Sequence, residues 1–180
     1  MNKAISIAII GSINLDIIAR VKKFPLPGET ITNAIVNRFP GGKGANQAVA
    51  AARLGADVSF VGRLGSDDAG ATLRESLEAA GVDTTFLRDD AGAPSGIALI
   101  GVDEAGDNAI VVSPGANGRV SPEDVADAET VIRDATVLLL QLEVPMEAAE
   151  VPQDPVPPAA PVQVQAPPPP AQVEPDRKSV

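Results

Sequence analysis

Apolar positions along the first 150 residues follow two different spacings. "ISIAII" at 5–10 is a continuous apolar run stopped by Gly11, the pattern of a parallel strand buried on both faces. "DVSFVGRLG" at 57–65 and "TVLLLQLE" at 136–143 repeat it. Between these runs the spacing becomes helical. Residues 43–54 carry Ala48, Val49 and Ala52 on one face and stop at Gly55. "DDAGATLRESLEAAG" at 67–81 opens with acids and closes on Gly81, as a capped helix does. "SPEDV" at 121–125 places an N-cap Ser before Pro and two acids, and "PMEAAE" at 145–150 starts another helix. This alternation predicts an α/β fold: a parallel sheet flanked by helices.

Two segments break the repeat. Residues 14–39 hold two short alternating strands around "PLPGET", and residues 95–113 hold two β-rich runs around "DEAGD". Both are expected to form antiparallel pairs added to the parallel sheet as a flap over its edge.

Composition divides the chain near residue 150. All 16 glycines precede that point, whereas ten of the 17 prolines follow it. Residues 151–180 lack apolar periodicity and backbone donors, so they are expected to be a disordered, partly polyproline-II-like tail. "PVPPAAP" within it carries a PxxP spacing, a weak pointer to a docking segment.

Charge and missing residue types narrow the chemistry. With 24 acidic and 14 basic residues the net charge is −10, which argues against nucleic-acid or anionic-membrane binding. Without cysteine or histidine there is no disulfide, no thiolate metal site and no imidazole proton shuttle. Catalysis would rest on Asp, Glu, Lys, Asn or Ser. The N-terminal apolar run is too short to span a bilayer and reads as a strand, so a cytoplasmic location is expected.

Three places could hold a ligand. "GGKGANQA" at 41–48 is not a nucleotide-binding P-loop, since no Ser or Thr follows Lys43, and it lacks the third Gly of the dinucleotide fingerprint. Its glycines allow close backbone approach, and Lys43 and Asn46 add donors; a tight strand-to-helix turn explains the same residues. "GSINLD" at 11–16 puts Asn14 and Asp16 past the end of the first strand, where open α/β sheets bind ligands. Asp16 could accept hydrogen bonds from a polyol or cap a local turn. Glu143 stands in the same relation to the strand at 136–143, with the same alternatives.

Together, "GSINLD", "PGET", "GGKGANQAVAAARLGA", "GRLGSDDAG", "SPGAN" and "LLLQLEVP" resemble the N-terminal half of the phosphofructokinase-B-type family of carbohydrate kinases. The wording of "GGKGANQA" and "QLE" is nearest to its ribokinase branch. The resemblance covers residues 1 to about 150. It implies a ribokinase-like parallel sheet with a small β-sheet lid, at about 14–39 and 84–113, which closes over the sugar and often forms a homodimer contact. It implies ATP-dependent phosphorylation of D-ribose to ribose 5-phosphate, with Mg2+ and a monovalent cation such as K+. The positions matching Asn14, Asp16, Gly42, Lys43, Asn46 and Glu143 bind sugar hydroxyls in that family.

The family's catalytic Asp, its nucleotide pocket and its monovalent-cation site lie in the C-terminal half, which this sequence does not resemble. The resemblance therefore implies no catalytic residue here and a chain, truncated near residue 150, that is inactive alone; the loss of Gly at the join and the Pro, Ala, Val and Gln bias beyond it point to a tail read in a shifted frame. A non-catalytic sugar-binding or dimerising module, a kinase for another sugar or nucleoside, and a half-enzyme needing a second chain remain alternatives.

Overall fold

A computed structural model describes residues 5–149. The expectations for 151–180 fall outside them. Among the described residues the chain builds two sheets. Sheet A is wholly parallel, with strands in the order β5-β4-β1-β9: β1 (Ser6–Ile10), β4 (Asp57–Gly65), β5 (Val82–Asp83) and β9 (Val137–Leu140). A further strand, β6 (Leu87–Asp90), pairs in parallel with the distal half of β4.

The continuous apolar runs serve sheet A because both of its faces are covered. Ile9 packs with α1 (Lys43–Arg53) and α2 (Asp68–Ala79) in a cluster that includes Ala48, Phe60, Leu73 and Leu77. Its neighbours Ala8 and Ile10 point the other way, into a cluster with Val61, Val125, Ile132 and Ala148. Those last three come from α3 (Pro122–Asp127), α4 (Glu129–Asp134) and α5 (Met146–Ala149). Successive strand residues thus feed opposite layers. A fully buried side chain such as Phe60 contributes about 1.5–3 kcal/mol through burial.

The helix boundaries follow the expected punctuation. Asp67 caps α2, accepting from the Gly70 N–H at 2.8 Å. Ser121 and Asp124 form a capping box at α3, with Pro122 in the first helical position.

Sheet B, in the order β3-β2-β7-β8, differs from expectation. Strands β2 (Asn14–Arg20) and β3 (Ile35–Gly41) are antiparallel, as are β7 (Gly96–Val102) and β8 (Asn108–Ser113). Instead of extending the parallel sheet, the two pairs join each other through a parallel β2–β7 ladder running from Asn14↔Gly96 to Arg20↔Val102. The outer strands β3 and β8 are exposed along almost their whole length, so sheet B lacks the two-sided burial that sheet A has.

The roots of sheet B are fastened by polar side chains. Arg63 of β4 donates to Asp124 at 2.7 Å and to Asp90 at 3.1 Å, and Arg119 donates to Asp90 at 2.7 Å. Ser95, just before β7, donates to the Asp67 carboxylate through its hydroxyl at 2.7 Å and its N–H at 2.9 Å. These bonds tie the segments leading into and out of sheet B to the core.

Candidate functional site

The loop 11–14 leaves β1 and becomes β2, so it is the junction between the two sheets. The glycine-rich stretch packs directly onto it. Gly42 has φ +92°, a conformation unfavourable for other residues, and a Cβ there would lie 2.6 Å from the Ile13 Cα. A Cβ at Gly41 would lie 2.1 Å from an Asp16 carboxylate oxygen. The Ala45 N–H donates to the Ser12 carbonyl at 3.0 Å, fixing the first turn of α1 against the same loop. "GGKGANQA" is thus a tight strand-to-helix turn, and the close packing of the two loops carries Lys43 to the end of the sheet.

There Lys43 forms an ion pair with Glu143, which lies just beyond β9. Ser12 donates its hydroxyl to the other Glu143 oxygen at 2.8 Å, and its N–H to the Gln141 side-chain carbonyl at 3.0 Å. Burial works against the Glu143 charge, but the hydrogen bonds from Lys43 and Ser12 outweigh it and hold the carboxyl below its ordinary range. Asp16 shows the opposite balance. Partial burial, and secondarily the neighbouring Glu143 charge, push its carboxyl above the ordinary range. Asn14 and Asp16 are two apart on β2 and so share a face.

Asn14, Asp16, Lys43 and Glu143 therefore gather where β1 and β9 end, with Gly42 in the loop between them. Asn46 is exposed on the first turn of α1 and lines a cavity of about 260 Å3 with Ile13, Gly41, Leu73 and Leu77. Gly41 borders both that cavity and Asp16.

Three residues were not singled out from the sequence. Ser12 and Gln141 orient Glu143 and its loop. Asn117, in the 3-10 turn Gly115–Arg119, bonds to Ile13 and Asn14. "GSINLD" and "SPGAN" contain two of them, but nothing in the sequence pairs positions more than 100 residues apart.

The cluster offers carboxylate acceptors beside ammonium and amide donors, the set that recognises adjacent hydroxyls. No group of three or more carboxylates among the described residues is arranged to hold a metal ion. No helix among them is long and apolar enough to cross a membrane.

The sequence pattern of the pfkB family carbohydrate kinases matches residues 4–165. Ribokinase from Haemophilus influenzae is 41% identical over 146 residues, covering 81% of this chain and 48% of its own. Ribokinase from Bacillus subtilis is 41% identical over 145 residues, covering 81% and 49%. A solved structure of Arabidopsis thaliana ribokinase complexed with ribose and ATP superposes with a TM-score of 0.71 at 36% identity, covering 82% of this chain and 49% of that one. The chain spans about half the length of the curated relatives it matches.

Proposed function

This chain belongs to the pfkB family of carbohydrate kinases, and from that premise we propose that its cleft binds D-ribose as the phosphoryl acceptor of a ribokinase-type reaction. The observation that carries the reading is the gathering of Asn14, Asp16, Lys43 and Glu143 at the start of β2 and the ends of β1 and β9. In this reading Asp16 and Glu143 accept from sugar hydroxyls, while Lys43 and the Gly42 backbone N–H donate to sugar oxygens. Asn46 adds a donor from the first turn of α1. Sheet B acts as a lid over the sugar and as a homodimer contact.

ATP is the phosphoryl donor in the same proposal, with Mg2+ and K+ as its companions. The base for the accepting hydroxyl and the nucleotide site are assigned to the half of the family fold that this chain does not share. Phosphoryl transfer depends on positioning both substrates. We therefore expect the 180-residue chain by itself to bind ribose weakly and to show no ribose-dependent ATP turnover. A coupled ADP-release assay with ribose, ATP and Mg2+ tests this. Turnover that co-purifies with the chain and disappears in Asp16→Ala would show that the chain carries a complete active site.

A further inference from the structure

Asn117 is fully buried, and its side-chain amide makes a two-point contact with the backbone of one residue. Its Oδ1 accepts from the Ile13 N–H at 2.9 Å, and its Nδ2 donates to the Ile13 carbonyl at 2.9 Å. Turning the amide over would set like against like at both points, so the Ile13 backbone fixes its orientation. The second Nδ2 proton goes to the Asn14 side-chain Oδ1 at 2.8 Å. The orientation of the Asn14 amide follows: its oxygen is occupied and its nitrogen faces away from Asn117. No buried side-chain nitrogen or oxygen among the described residues lacks a partner. The Asn14 Nδ2, which makes no bond among the described residues, therefore reaches solvent although Asn14 is only 6% exposed. Gly96 makes room for this contact, because a Cβ there would lie 2.2 Å from both the Asn117 Nδ2 and the Asn14 Oδ1.

We propose that Asn117 is a positioning residue for ligand recognition, holding Asn14 so that it presents a donor, and never an acceptor, to the cleft. The inference rests on the sugar-binding reading and sharpens it. Asn14 and Asp16 lie side by side on one face of β2, a fixed donor beside a fixed acceptor. The matching ligand carries neighbouring oxygens of opposite demand: one accepts from Asn14, and the next, a hydroxyl, donates to Asp16. A vicinal diol, or a ring oxygen beside a hydroxyl, meets this requirement. A ligand offering only donors at the first position does not.

The test uses the full 180-residue chain with 15N-labelled asparagine, the Asn14 and Asn117 side-chain signals being assigned with Asn14→Asp and Asn117→Ser. Without ligand, the Asn117 amide protons should be protected from solvent exchange and those of Asn14 should exchange freely. The reverse order would overturn the proposal. On titration with D-ribose the Asn14 Nδ2 signals should shift saturably, and Asn117→Ser should weaken ribose binding about tenfold, the loss of one net hydrogen bond. A purely structural Asn117 would leave the Asn14 amide unmoved by ribose. If ribose shifts the Asp16 and Gly42 backbone signals but not the Asn14 amide, the sugar reading stands and this proposal falls. If ribose shifts nothing, the sugar reading falls, and the exchange order in the free protein still decides how Asn14 is held. The wild-type measurements remain decisive should Asn117→Ser fail to fold.

Discussion

The surroundings of Asp16 favour its neutral form. Burial and the nearby Glu143 raise its pKa in the folded chain, so the folded state holds this proton more tightly than the unfolded one. Where it is ionised the carboxylate weighs against the fold, and that penalty fades as pH falls through the folded pKa toward the unfolded value of about 4. Asp16→Asn should therefore raise the melting temperature at pH 7, with the gap to wild type closing near pH 4. The same substitution should weaken ribose binding at least about tenfold, since a charged acceptor is lost. Thermal melts at the two pH values, paired with calorimetry, check both halves; a lower melting temperature at pH 7 would contradict this account. Asp16, Lys43 and Glu143 were legible in the sequence because each stands just past an apolar run or within a glycine-rich turn. Ser12, Gln141 and Asn117 were not, because their roles depend on partners that only the folded chain brings near.

Among the elements, the start of α2 bears the most on how lid and core are joined. Asp67 caps the helix and also accepts from Ser95 at the root of β7. Burial opposes its charge, yet the hydrogen bonds from Ser95 and Gly70 prevail and hold the carboxyl below its ordinary range. A depressed folded pKa contributes stability that is fully present above the unfolded value of about 4 and is lost as pH falls through the folded one. Asp67→Ala should therefore lower stability by about 1 kcal/mol at pH 7, the usual value of an N-cap. The difference from wild type should shrink below about pH 4. Urea melts across pH 7 to 2 measure it, and a difference that grows in acid would refute the assignment. The strands β1, β4 and β9 and the helices α1 and α2 were readable because their apolar spacing is long and regular. The two-residue β5, the charged "LRDD" of β6, the 3-10 turn and α4 offer too little pattern. Both hairpins were readable as local pairs, but their union through β2–β7 was not, since neither strand's sequence names its distant partner.

Among the described residues most of the large exposed apolar side chains fall in two places, with Ile5, Leu26 and Leu54 apart from both. Sheet B exposes Ile35, Val36, Leu99, Ile110, Val111 and Val112, with Val111 at 67%. The other group, Val137, Leu140, Leu142 and Met146, lies along and after β9, which among the described residues pairs only with β1. Patches of this kind favour association. The dimer proposed for the lid predicts that light scattering over a concentration series will find a dimer, and that Val111→Lys will convert it to monomer without changing the melting temperature. If Leu142→Lys does so instead, association runs through the edge of sheet A.

The parallel β2–β7 ladder also bears on the order in which the chain can assemble. It joins strands about 80 residues apart, and β3, α1, β4, α2, β5 and β6 all lie between them. Closing so long a loop carries a large entropic cost before the contacts it permits can offset it, and such non-local pairings form slowly. The β2–β3 and β7–β8 hairpins can each form from neighbouring segments, but joining them into sheet B requires the long loop between them to close. The cleft thus depends on a non-local pairing: Asn14, between Gly41 and Gly96, acquires its second neighbour only when β2 meets β7.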